Sequence, residues 1–130
     1  MSADKQESYA RRMKGARGLR RIINALGYSV DGVRFAWREQ GFRQLVWIHT
    51  ALMLCLLFTG WSTGVKMVLV LGSFVSIAIE LLNTGIEAAV DHTSEAQHEL
   101  AKKAKDVGSA AQYITLAMLA LLWMMAIIGD

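Results

Sequence analysis

Proline is absent from this 130-residue sequence, so no proline kink or break interrupts a helix in it. Cysteine occurs once, as Cys55 within the apolar run LMLCLLF. With no partner in the chain it excludes an intrachain disulfide and reads as a buried structural thiol. The first 44 residues lack an apolar h-region, which argues against a cleavable signal peptide. The signatures of soluble nucleotide sites are missing as well. There is no GxxxxGK[ST], no GxGxxG and no HRD or DFG set, so P-loop, dinucleotide and protein-kinase sites are excluded.

What the sequence has in abundance is apolar residues, at 54% of the chain. They gather in three long blocks, the pattern of a membrane protein rather than of a water-soluble core. The length allows a single domain over residues 1–130. The net charge of +3 does not point to nucleic acid, because ten of the fourteen Lys and Arg residues lie at or before Arg43. That is where a positive-inside bias sets bases beside a first membrane helix.

Residues 1–10 carry little pattern and read as a mobile tail. Residues 11–41 read as an interfacial surface region. Leu19, Ile22, Ile23 and Leu26 form a helical stripe on a basic segment, suited to lying in the membrane interface. Gly27 is the expected stop of that helix, and a second interfacial stretch follows with Val33, Phe35, Trp37 and Phe42. Glu39 is the one acid among Arg34, Arg38 and Arg43, equally open to local ion pairing and to a functional role.

The first span is expected at 45–61, with extension back into 42–44 to reach across the hydrocarbon core. His49, one turn in, reads as reaching the interface or bonding a neighbouring helix. A tight turn through Gly64 reverses the chain, and Lys66 can snorkel to the far surface. One long helix then covers 65–91, and the third span covers 111–128. This topology sets thirteen bases on one side and Lys66 alone on the other, so the basic side faces the cytoplasm. The small residues Gly72, Ser73, Ser76, Ala78, Ala117 and Ala120 would permit close helix contact between chains, and an oligomer is expected.

At the near-side end, Glu80, Asn83, Glu87 and Asp91 are spaced to share one helix face. Carboxylates at the edge of hydrocarbon are costly unless paired, hydrated or bound to a cation, and Mg²⁺ takes hard oxygen ligands. Glu95, His98, Glu99, Lys102, Lys103, Lys105 and Asp106 follow. Lysine is a compact charge for phosphate, and phosphoryl transfer needs positive charge where negative charge develops. Each member also has a plainer reading. Glu80 could make an interhelix bond, His98 could be a solvated surface group, and the lysine run could serve topology. The combination carries the kinase reading.

The segments RIINALGYSVDGVRFAWREQGFRQ, IELLNTGIEAAVD and SEAQHELAKKAKDVGSAA resemble the bacterial integral-membrane diacylglycerol kinases from about Arg21 to the C-terminus. The resemblance implies an all-α membrane protein, with an N-terminal amphipathic surface helix and three transmembrane helices in a homotrimeric bundle. It also implies composite active sites at the cytoplasmic surface of the bacterial inner membrane. MgATP would phosphorylate the free hydroxyl of diacylglycerol. Glu87 would act as general base, Glu39 and Glu87 would hold Mg²⁺, and Glu80, Asn83, Asp91, Arg21 and Arg43 would line the site. Lys105, Asp106, Glu95 and His98 would serve the nucleotide. The chain departs from the family pattern after Gln44, where Leu45 and Val46 stand near a position that is acidic in some members. It departs again at Val30, where an aromatic is common.

Three rival readings follow. An undecaprenol kinase would use the same architecture on another lipid. A proton-coupled transporter would need acids near midplane, whereas Glu80 lies near the end of its span. A non-enzymatic scaffold would tolerate neutral substitution throughout 80–106.

Overall fold

The computed structural model describes residues 18–93 and 99–129, and every described regular element is helical. The chain falls into two compact units, residues 1–35 and 36–130.

In the first unit, helix α1 spans Leu19–Ala36, its last residue belonging to the second unit. It begins where Gly18 takes φ +74°, a left-handed conformation that a side chain would resist. The Gly18 carbonyl then accepts the backbone N–H groups of Arg21 and Ile22. Leu19, Ile22, Ile23 and Leu26 are all exposed, and Val30 and Val33 extend their stripe. The expected stop at Gly27 is overturned, because the helix runs through it. Gly27 keeps a negative φ, and an interior glycine costs only about 1 kcal/mol against alanine. Gly18 opens the helix instead.

The second unit holds three helices: α2, Gln40–Cys55, α3, Thr63–Thr93, and α4, Glu99–Gly129. A single 3₁₀ turn, Leu56–Phe58, prolongs α2. All three are long and apolar enough to cross a membrane. The first starts at Gln40, ahead of Leu45, and its helical part closes at Phe58 rather than at Trp61. There the Thr59 hydroxyl donates to the Leu56 carbonyl at 2.9 Å, and the backbone turns extended.

The reversal lies at residues 59–62, not at Gly64, which sits in the first turn of α3. Ser62 sets that start, because its hydroxyl accepts the Val65 N–H at 3.3 Å as an N-cap does. Lys66 bends back to donate to the Thr59 carbonyl at 2.9 Å, so it closes the turn. Below the turn, Leu56, Leu69 and Ala126 form a buried apolar cluster with Trp61, Val65, Val70, Leu122 and Trp123 packed around it. The rings of Trp61 and Trp123 meet edge to face at 5.7 Å.

Helix α3 packs on both neighbours, α2 and α4. A Cβ on Gly72 would come within 2.8 Å of the Leu119 side chain, so the missing side chain sets how closely α4 approaches. Ser73 and Ser76 are sealed, and Gln112 on α4 donates to the Ser76 hydroxyl at 3.2 Å. Gly72, Ser73 and Ser76 are therefore spent within one chain, which corrects their reading as contacts between chains. Ala78, Ala117 and Ala120 remain exposed. Cys55 is exposed too, because it lies on the outward side of α2, whereas a buried thiol was expected.

Candidate functional site

Glu80, Asn83, Glu87 and Asp91 stand on one uninterrupted helix, α3, and differ in exposure. Asn83 and Thr84 are buried, Glu80 and Glu87 are half-buried, and Asp91 is exposed. Leu82, on the outward side, is exposed, and so is much of Ile86, which reaches toward Gly108 of α4. The Asn83 amide donates to Glu87 Oε1 at 3.3 Å, which fixes the carboxylate from one turn away. The Thr84 hydroxyl donates to the Glu80 carbonyl at 3.0 Å, leaving the Glu80 carboxylate clear.

Gly108 of α4 faces Asn83. A Cβ there would collide with the Asn83 carboxamide and touch the Ile86 side chain. Asn83 Oδ1 is buried with no hydrogen-bond partner among the described residues.

From α2, the first turn runs beside Glu80, since a Cβ on Gly41 would lie 3.7 Å from Glu80 Oε1. Glu39 is the N-cap of this helix, with an extended backbone and a side chain that makes no capping bond. Its carboxylate stands at the positive end of the helix dipole. Arg43 Nη1 donates to the carbonyls of Trp37 and Arg38 at 2.8 and 2.9 Å. That guanidinium therefore fastens the link that carries Glu39. Trp37 adds edge-to-face contacts with Phe42 and Trp47.

On α4, Lys105 Nζ donates to Asp91 Oδ1 at 2.7 Å and joins the end of α3 to the charged start of α4. This bond, with the charge of Asp91 behind it, raises the Lys105 pKa above its ordinary value, and the ammonium stays charged at neutral pH. Asp106 pairs with Lys102 at 2.5 Å, and Lys103 pairs with Glu99 at 2.6 Å. Both are exposed i,i+4 pairs on the surface of α4.

Glu80, Asn83, Glu87, Asp91 and Lys105 thus gather where α3 meets α4, with the Glu39 end of α2 alongside Glu80. Asp106 is turned to its own helix. Arg21 stands in the first turn of α1, in the other unit. Glu95 and His98 lie outside the described residues. Sequence reasoning missed the roles of Gly108 and Gln112. The signal was available in each case, as a glycine kept inside a helix and an amide placed in an apolar run.

Among the described residues, no three His, Cys, Asp or Glu side chains gather closely enough to hold a metal alone. Mg²⁺ commonly uses one or two carboxylates plus waters and substrate phosphates. The sparse carboxylates here suit an ion whose other ligands are water and substrate phosphates.

Three membrane-crossing helices with an acid, amide and lysine cluster at one end define a small multi-pass membrane protein with a polar site at the bilayer edge. The family model for prokaryotic diacylglycerol kinase matches residues 27–127, and the chain belongs to that family of lipid kinases. It is 40% identical over 117 residues to a diacylglycerol kinase of Pseudomonas aeruginosa, covering 89% of this chain and 95% of that protein. A Helicobacter pylori diacylglycerol kinase is 44% identical over 114 residues, covering 83% of this chain and 85% of that protein. The diacylglycerol kinase of Escherichia coli K12 is 39% identical over 110 residues, covering 82% and 88% respectively.

Proposed function

We propose that this protein transfers the γ-phosphate of MgATP to the free hydroxyl of diacylglycerol, giving phosphatidic acid. The observation that carries the reading is the Asn83–Glu87 pair, buried at Asn83 and half-buried at Glu87, in a chain of this kinase family. Diacylglycerol is favoured over undecaprenol because the named relatives are diacylglycerol kinases. The chain works as a homotrimer in the bacterial inner membrane, with composite sites on the cytoplasmic side, where the bases concentrate.

Glu87 takes the proton of the lipid hydroxyl as its oxygen attacks the γ-phosphorus and the bond to ADP breaks. A carboxylate is a weak base for an alcohol, so the proton moves late, as charge shifts to the phosphate. Asn83 holds Glu87 in position for this. Glu39 and Glu87 would hold Mg²⁺, which when bound neutralises charge on the phosphates. Glu80, Asn83 and Asp91 line the site, with Arg43 acting through the link that carries Glu39. Lys105, Asp106, Glu95 and His98 serve the nucleotide. The lipid enters laterally and ATP enters from water, so positioning supplies much of the rate.

The test is phosphate transfer from γ-labelled ATP in mixed micelles, with diacylglycerol and undecaprenol offered in parallel. Phosphatidic acid as the main product is the expected result. Phosphorylation of undecaprenol alone would replace the substrate and keep the site, and no transfer to either lipid by folded protein would end the kinase reading.

Lys105 gives a further check. Removing one charge-assisted contact costs about 1.5–3 kcal/mol, roughly 10- to 100-fold. Lys105→Met is expected to raise the KM for MgATP by about that factor and to leave the KM for lipid within a few-fold. An unchanged KM for nucleotide would confine Lys105 to its pair with Asp91.

A further inference from the structure

The three spans each bring polar side chains to one depth, midway between the acidic end and the apolar turn end. His49 of α2 is 1% exposed, Ser73 and Ser76 of α3 are sealed, and Gln112 and Thr115 of α4 are buried. The antiparallel register places them level. Gly41 stands beside Glu80, and eight residues forward from Gly41 is His49 while eight back from Glu80 is Gly72. From the other end, Leu56 and Leu69 share one cluster, and seven residues inward from each lie His49 and Ser76. Both counts set His49 against the 72–76 turn of α3, where Gln112 already bonds Ser76.

Part of this layer is unmet. Neither imidazole nitrogen of His49 has a hydrogen-bond partner among the described residues, and Gln112 Oε1 has none either. Turning the Gln112 amide over would only move the deficit to its nitrogen. In either charge state an imidazole carries at least one N–H to be met. Hydrocarbon offers nothing to these groups. A neighbouring chain does not reach them, because they are sealed within the helices of a single subunit. Water is the remaining partner that both donates and accepts, and buried water is stable where a few polar groups converge on it.

We propose that His49, Gln112 and the Ser73–Ser76 turn hold ordered internal water at mid-membrane depth, tying α2, α3 and α4 together. The seal is tight, so water takes its place through a rotamer-scale shift of His49 or Gln112 rather than in a ready void. Ser76 lies one turn from Glu80, and the spacing 73, 76, 80, 83, 87 makes one polar stripe along α3. The water site is the deep end of that stripe, about two turns below the Asn83–Glu87 pair.

The full-length protein, labelled with ¹⁵N-histidine in lipid nanodiscs, tests this by solid-state magnetisation transfer from water to the imidazoles. Transfer to His49 is expected, with exposed His92 as the positive control and His49→Gln identifying the signal. Transfer to His92 but not to His49 overturns the proposal, whether the layer is dry or closed by a direct His49–Gln112 bond. Thermal midpoints supply an independent arm. His49→Leu and Gln112→Leu are each expected to lower the midpoint by about 5 °C, because each strands the other side's polar group. The double variant, which leaves neither behind, is expected to recover most of that loss. Additive losses would show two unconnected groups and overturn the shared site.

Discussion

Glu87→Gln is expected to lower kcat for lipid phosphorylation by about 10²–10⁴-fold, the usual worth of a positioned general base. The substitution is nearly isosteric and keeps an oxygen that can accept from the Asn83 amide, whose bond to Glu87 Oε1 spans 3.3 Å. What it removes is the negative charge and the ability to take a proton. Local packing therefore stays, and the thermal midpoint is expected to change by no more than about 3 °C. On the proposed mechanism the loss falls on kcat rather than on the KM for diacylglycerol, because proton transfer matters at the transition state. Glu80→Gln provides the contrast. Glu80 is half-buried on the same face but shares no hydrogen bond with Asn83 or Glu87 among the described residues, so its loss is expected to be at least tenfold smaller. Near-normal turnover by folded Glu87→Gln would remove the base role, and equal losses at Glu80 and Glu87 would point to a shared electrostatic effect.

The acidic stripe was legible because its spacing depends only on the helical period. Residues 80, 83, 87 and 91 fall on one face of any helix long enough to hold them, and α3 runs on to Thr93. The Lys105–Asp91 pair was not legible, because it joins groups 14 residues apart across a chain reversal. Periodicity says which face a residue occupies but not what arrives opposite. The same limit misread the small residues of α3. Gly72 and Ser76 look alike whether the close approach is to α4 of the same chain or to another subunit, and only the Leu119 and Gln112 contacts decide it. Arg43 shows a different gap. The family resemblance set it in the lining of the site, while its guanidinium bonds two backbone carbonyls just before Glu39. Such local latching leaves no trace in spacing.

Gly108→Ala is expected to be damaging well beyond its single added methyl group. Inside a helix this exchange ordinarily stabilises by about 1 kcal/mol, since alanine is the better helix former. Here the new Cβ would run into the Asn83 carboxamide, which is buried and bonded to Glu87 and so has little room to swing aside. Overpacking of this kind costs about 1–3 kcal/mol, which outweighs the gain in propensity. The midpoint is expected to fall by about 5 °C, and turnover by about tenfold or more as Asn83 is pushed off Glu87. The compensating change separates the two effects. Asn83→Ala alone vacates the space and loses the bond to Glu87, so the Gly108→Ala/Asn83→Ala pair is expected to regain stability without regaining turnover. Such non-additivity is the mark of direct contact. If Gly108→Ala instead stabilises the protein and leaves turnover intact, α4 does not press on Asn83, and the positioning of Glu87 must come from elsewhere.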